Sequence, residues 1–115
     1  MSGSPPTSSD PSWRAQMLTD LESGSIARMT DALLALTLND PDGPWVEKLL
    51  LKCLDGSPEI QMRSLAITCL GHVARIHGTI TNPEVVPKLK MLSADQLLGG
   101  FAEDALDDIK TFTST

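Results

Sequence analysis

Met62-Arg63-Ser64-Leu65-Ala66-Ile67-Thr68-Cys69-Leu70-Gly71-His72-Val73 carries a helical pattern that the chain repeats on either side. Ala66, Cys69, Leu70 and Val73 recur at intervals of three and four, the spacing of one helix face, and no period of two is sustained. When Leu70 is set in a column with Leu33 and Leu106, at separations of 37 and 36 residues, the neighbouring columns fall into register. They read Met29, Ala66, Ala102; Ala32, Cys69, Ala105; and Leu36, Val73, Ile109. A fixed period of 20 to 50 residues is the mark of stacked repeats. The helix preceding each copy repeats less strictly, through the i, i+3 pairs Leu18 and Leu21, Leu50 and Cys53, Leu89 and Leu92. Each unit is then a helical hairpin whose apolar stripe cannot be covered from within, so three must stack to build a core.

Turn residues place the breaks at Ser23-Gly24, Asn39 to Pro44, Asp55 to Pro58, Gly78-Thr79 and Ser93 to Asp95. The spacing predicts six helices, over about 12–23, 25–38, 44–55, 58–77, 83–92 and 95–112, in three repeats at about 13–38, 44–77 and 83–112. Ser57-Pro58-Glu59 and Asn82-Pro83-Glu84 each read as a capping side chain, a proline at the first helical position and an acid facing the positive helix end. Asp10-Pro11 and Gly43-Pro44 suggest two further starts, and Gly24 and Gly78 two ends, with His77 placed to donate to the last carbonyls of its helix. Residues 1–12, nearly all Ser, Pro, Gly and Thr, are expected to form a disordered tail before the single helical domain of residues 13–112.

Fifteen acids against nine Lys and Arg give a net charge of −6, which argues against a phosphate-neutralising nucleic-acid binder and against an anionic-membrane binder. No apolar run approaches the roughly 18 residues that a bilayer span needs, and the expected location is cytoplasmic. Cys53 and Cys69 are too few and too widely spaced for a disulfide framework; both read as reduced, buried small hydrophobes.

The stretch from Val85 through Pro87 and Leu89 to Leu92, followed by Asp95, resembles the first helix of the HEAT repeats, including a proline inside the helix. Met62 to Val73, with its Leu70-Gly71 pair, resembles that family's second helix. The resemblance implies an all-α fold, a short right-handed helical-hairpin solenoid of three HEAT-like repeats. The first unit departs from the pattern, lacking the proline and carrying Met29 where alanine is usual. Leu70 to Gly78 together with Glu103 to Ile109 also resembles small bacterial HEAT-like proteins, some of which serve as immunity partners of secreted toxins.

The residues hold no catalytic, cofactor-binding or metal-binding constellation. His72 and His77 lie five apart on one helix, about 140° from a shared face, so they cannot jointly ligate a metal. Cys53 sits among Leu49, Leu50, Leu51 and Leu54, a setting that withholds the thiolate. Gly99-Gly100 lacks the preceding strand and following Lys-Ser or Lys-Thr of a phosphate loop and reads as close helix packing or a break before the last helix. Glu103, Asp104, Asp107 and Asp108 place like charges at i, i+4, which either solvent or a partner must offset.

Aligning the repeats tells which outward residues of the second helices share a row: Asp31, Thr68 and Asp104; Ala35, His72 and Asp108; Leu38, Arg75 and Thr111. In solenoids of helical pairs the second helices line the inner surface. Asp31, His72, Arg75, Asp104 and Asp108 are therefore the expected partner-binding residues, with His72 and Arg75 in reach of neutralising Asp104 or Asp108 across the stack. Two functions follow from different classes. One is a non-enzymatic interaction module gripping another protein, basic where the acids touch it. The other is an immunity protein whose acidic face covers a bacterial toxin such as a basic nuclease. Should the second-helix face be silent, the outer surface around Trp45 and Lys48 is the remaining candidate.

Overall fold

The computed structural model describes residues 10–113. Six helices follow in order: α1 Pro11–Leu21, α2 Ile26–Asn39, α3 Gly43–Gly56, α4 Ile60–His77, α5 Val85–Leu92 and α6 Gly99–Thr113; no strand occurs among the described residues. Most of the expected disordered tail lies outside the described residues, and where it meets them Asp10 accepts the Ser12 N–H at 3.0 Å and starts α1 at Pro11.

The helices pair as hairpins, α1 on α2, α3 on α4 and α5 on α6, and the second helices pack in the order α2, α4, α6. Two helical layers result, in a body of 50 × 33 × 17 Å. Its radius of gyration of 14.3 Å exceeds the ~13 Å of a spherical domain this long. The repeat columns are the core of the second-helix layer. Ala32, Cys69 and Ala105 are all buried, as are Leu36, Val73 and Ile109. Middle position makes α4 the most enclosed element, with Met62, Ala66, Ile67, Cys69, Leu70, Gly71, Val73 and Ala74 buried. At Gly71 the α4 and α6 backbones approach so closely that a Cβ would stand 2.9 Å from an Asp108 carboxylate oxygen and 3.4 Å from Ala105 Cα.

Leu33 and Leu70 are fully buried, but Leu106 is only partly so, a departure from the equivalence that the period implies. The reason is position: among the described residues α6 packs on α4 and α5, and Leu106 lies toward its uncovered flank. The two proline-marked starts also fall later than predicted. Ser57 Oγ accepts the Glu59 N–H at 3.3 Å and Asn82 Oδ1 the Glu84 N–H at 2.9 Å, so both side chains stabilise turns before the helices and cap neither. Asp42 and Ser25 do cap, accepting from Trp45 N and Arg28 N. Gly78 ends α4 at φ 70° with its N–H on the Ala74 carbonyl. The Gly99-Gly100 question resolves as a break: Asp95 holds a turn through the Leu97 and Leu98 N–H groups, and α6 begins at Gly99, where a Cβ would meet the Ser93 carbonyl at 2.7 Å.

Polar contacts join the first-helix layer, where apolar packing is thinner. Glu47 of α3, 1% exposed, accepts from Thr81 N at 3.0 Å, Thr81 Oγ1 at 3.1 Å and Asn82 N at 2.8 Å, which fixes the strap leading into α5. Lys88 of α5 pairs with Asp55 of α3 at 2.8 Å. Arg14 of α1 grips the nearly buried Asp40 through two nitrogens at 2.8 and 2.7 Å while its guanidinium lies 4.0 Å from the Trp45 ring centroid on α3.

Leu70→Ala is expected to cost about 2–5 kcal/mol, and the same change at Leu106 clearly less, because one site is enclosed and the other can refill with solvent. A urea midpoint for each variant checks the order; equal losses would mean that the stack is closed at its third hairpin. Glu47→Ala should cost roughly 2–4 kcal/mol, since the 81–82 donors lose a charged acceptor inside the fold.

Candidate functional site

The outward face of the second-helix layer carries the five residues singled out in the sequence. Asp31 on α2 and Asp104 on α6 are exposed, Arg75 on α4 is exposed, and His72 and Asp108 are half-buried along the seams between helices. Asp104 and Asp108 stand one turn apart on α6; Asp108 lies against Gly71 of α4, and Arg75 of α4 reaches over Phe112 of α6. Asp31 lies across α4, two interhelical spacings or about 20 Å from α6. Arg75 and Asp108 thus meet the α4–α6 seam, while Asp31 lies on the far side of α4.

The expected neutralisation across the stack does not form. Among the described residues the ion pairs are Arg14–Asp40, Arg28–Asp20 and Lys88–Asp55, and none involves Asp31, Asp104 or Asp108. Arg75 instead sets its guanidinium over the Phe112 ring, 5.2 Å from the centroid. The acids of α6 thus present charge without an internal counterion.

Two residues that the sequence reading passed over share that face. At 100° per residue, positions 101, 104, 108 and 112 of α6 fall within an 80° arc. Phe101 and Phe112 on this arc are 45% and 42% exposed. They are the chain's two phenylalanines, and it has no tyrosine. The signal was present as spacing, but a phenylalanine in an amphipathic helix is ordinarily read as core, and only the packing shows that α6 turns both outward. Leu38 and Ile76, each 47% exposed, extend the apolar border along the ends of α2 and α4.

Elsewhere the polar residues hold the fold together. The Cys69 thiol, buried in the core, is pushed up to about 11 by burial, and burial also raises that of half-buried Cys53. His77 does not cap α4: its ring lies against Gly43, 3.1 Å from where a Cβ would be, and its Nε2 is buried without a hydrogen-bond partner. No group of three or more His, Cys, Asp or Glu that could hold a metal occurs among the described residues. No helix there is long and apolar enough to cross a membrane. On the opposite layer, clefts of about 390 and 530 Å³ open between α1 and α3, walled by Leu18 and Leu49 and edged by Lys52, with Lys48 beside the second.

No protein-family model matches the chain, and no curated protein does. Among solved structures it is similar to a chain in the crystal structure of a CDI (contact-dependent inhibition) complex from Cupriavidus taiwanensis. The two are 33% identical, with 85% of this chain and 86% of that chain covered and a TM-score of 0.76. That identity and coverage support kinship with that protein over the HEAT repeats that the sequence resembles.

Two measurements check the polar chemistry. Arg14, and after it the Asp42 N–H, hold the Asp40 carboxyl below the usual carboxylate range against the opposing effect of burial. Its contribution is complete above the unfolded value near 4 and is lost as pH falls through the lower folded value, so Asp40→Asn should flatten the loss of stability with acid below about pH 4. At pH 8 the folded protein should react slowly with a thiol reagent at Cys53 and not at all at Cys69, whereas in denaturant both react at once.

Proposed function

We propose that this chain, which belongs to the same family as the matched chain of the Cupriavidus taiwanensis CDI complex, is an immunity protein: it neutralises a toxin by binding it, without catalysis of its own. The observation that carries the reading is the likeness over nearly the whole of both chains to a component of such a complex. A cell that inhibits its neighbours on contact needs an antidote to its own weapon, and a complex between the two is the protected state.

Charge supports the antidote role over the weapon. A net charge of −6, with Asp104 and Asp108 outward and free of internal partners, suits a surface that covers a cationic active site as phosphate would. The same charge opposes approach to nucleic acid. The Lys and Arg residues are for the most part spent on internal contacts, Arg14 with Asp40, Arg28 with Asp20, Arg63 with the Leu54 carbonyl, Arg75 on Phe112 and Lys88 with Asp55. Acting in the cytoplasm, the protein would meet the toxin there with His72 and Arg75 beside the acids and Asp31 at the border.

The partner for the test is the toxin of the matched CDI complex or, where a large secreted toxin is encoded beside this chain, the product of that gene. Co-expression should restore growth to cells making its C-terminal toxic segment, and the purified proteins should bind each other. The double variant Asp104→Lys, Asp108→Lys should fold normally yet associate about tenfold or more slowly at low salt, with the wild-type rate falling steeply as salt is added. Association that ignores both the charge reversal and the salt would move the contact to the α1–α3 side around Trp45 and Lys48. Absence of protection by the wild type would leave the broader reading, an adaptor for a different protein.

A further inference from the structure

Building on the proposal that this chain neutralises a toxin, we infer that the centre of the toxin contact is α6 alone, with Phe101 and Phe112 as its two apolar anchors and Asp104 and Asp108 between them. The matching toxin surface is a short cationic strip bracketed by two apolar recesses.

The argument starts from where the chain spends its aromatic residues. It has two tryptophans and two phenylalanines. Trp13 is buried and Trp45 is half covered beneath Arg14, while both phenylalanines stand more than 40% exposed on one face of one helix. A core of this size has use for a phenylalanine, and an aromatic ring left in water forgoes the burial that normally places it inside. Exposed aromatic side chains are enriched at binding centres, where rings enter pockets and supply much of the affinity, and the acids beside them guide the encounter.

Geometry fixes the spacing of the complement. Phe101 and Phe112 are eleven residues apart on a continuous helix, about 16 Å along its axis, with the two carboxylates about 6 Å apart between them. The face is also held in advance of binding. Arg75 lies against the Phe112 ring at 5.2 Å, and the Asp108 side chain rests in the space that Gly71 leaves open on α4. Side chains already ordered lose less freedom when the partner arrives.

Charge selects α6 over the apolar cleft between α1 and α3. The α1–α3 cleft is edged by Lys48 and Lys52, which would repel the cationic strip that Asp104 and Asp108 attract. Asp31, about 20 Å away across α4, acts at the border, where charge tunes encounter more than residence.

The probe is the toxin recovered by the protection test above, presented to surface-immobilised full-length protein in a binding-kinetics experiment. Phe101→Ala and Phe112→Ala should each weaken binding at least tenfold, almost wholly through faster dissociation, with thermal midpoints unchanged. Asp104→Lys should act through slower association, and Asp31→Lys should change the dissociation rate less than twofold. Phe101→Leu and Phe112→Leu, which keep an apolar side chain, should recover part of the loss and so separate lost contact from lost folding. Wild-type binding with both Phe→Ala affinities within twofold of it would overturn the inference and leave the immunity reading intact. No wild-type binding, together with no protection of cells, would overturn both.

Discussion

Enclosure of α4 on two sides is the constraint from which the rest of the molecule follows. A helical hairpin has one apolar stripe and no means of covering it alone. α4 meets α2 along one flank and α6 along the other, with α3 beneath, and the small residues Ala66, Cys69, Gly71 and Ala74 let those neighbours come close. Each outer hairpin is therefore stabilised mainly through the middle one. Gradation across the stack follows: Leu70 in the middle is wholly buried, while Leu106 in the last hairpin keeps one side open.

Apolar packing concentrates in the second-helix layer, and the first-helix layer is held by a different chemistry. Glu47 satisfies the donors of the strap before α5, Arg14 ties α1 to the loop at Asp40 and to the ring of Trp45, and Lys88 ties α5 to Asp55. A nearly buried carboxylate is costly unless its oxygens are hydrogen-bonded, and both Glu47 and Asp40 meet that condition. The consequence is directional. These polar ties set where one hairpin sits relative to the next, and so which faces of the second helices align outward.

That alignment separates structural from interactive residues. The thiols and His77 are turned into the fold, and most of the arginines are held by internal partners. On the outward arc of α6 stand Asp104 and Asp108 without an internal ion pair, bordered by exposed phenylalanine. A protein that acts by binding needs no more chemistry than this: complementary charge to guide the encounter and rigid apolar side chains to hold it.

Fold class and repeat were legible in the sequence because they rest on periodicity. Columns such as Ala32, Cys69 and Ala105 place small residues wherever helices of one layer touch, and each hairpin has to satisfy the same local geometry. The acids Asp104 and Asp108 could be placed on one outward face for the same reason. Partnerships across long stretches of chain could not be read this way. Arg14 meets Asp40 26 residues on, and Glu47 meets Thr81 34 residues on, through loops that carry no repeat. The turns at Ser57 and Asn82 looked like helix caps because the same side chains serve both motifs, and only the path of the backbone distinguishes them. Whether Phe101 and Phe112 point inward or outward was likewise a matter for the tertiary structure. A helix reveals its own apolar side in its sequence, but which faces go uncovered depends on the neighbours that pack against it, and among the described residues those of α6 are α4 and α5.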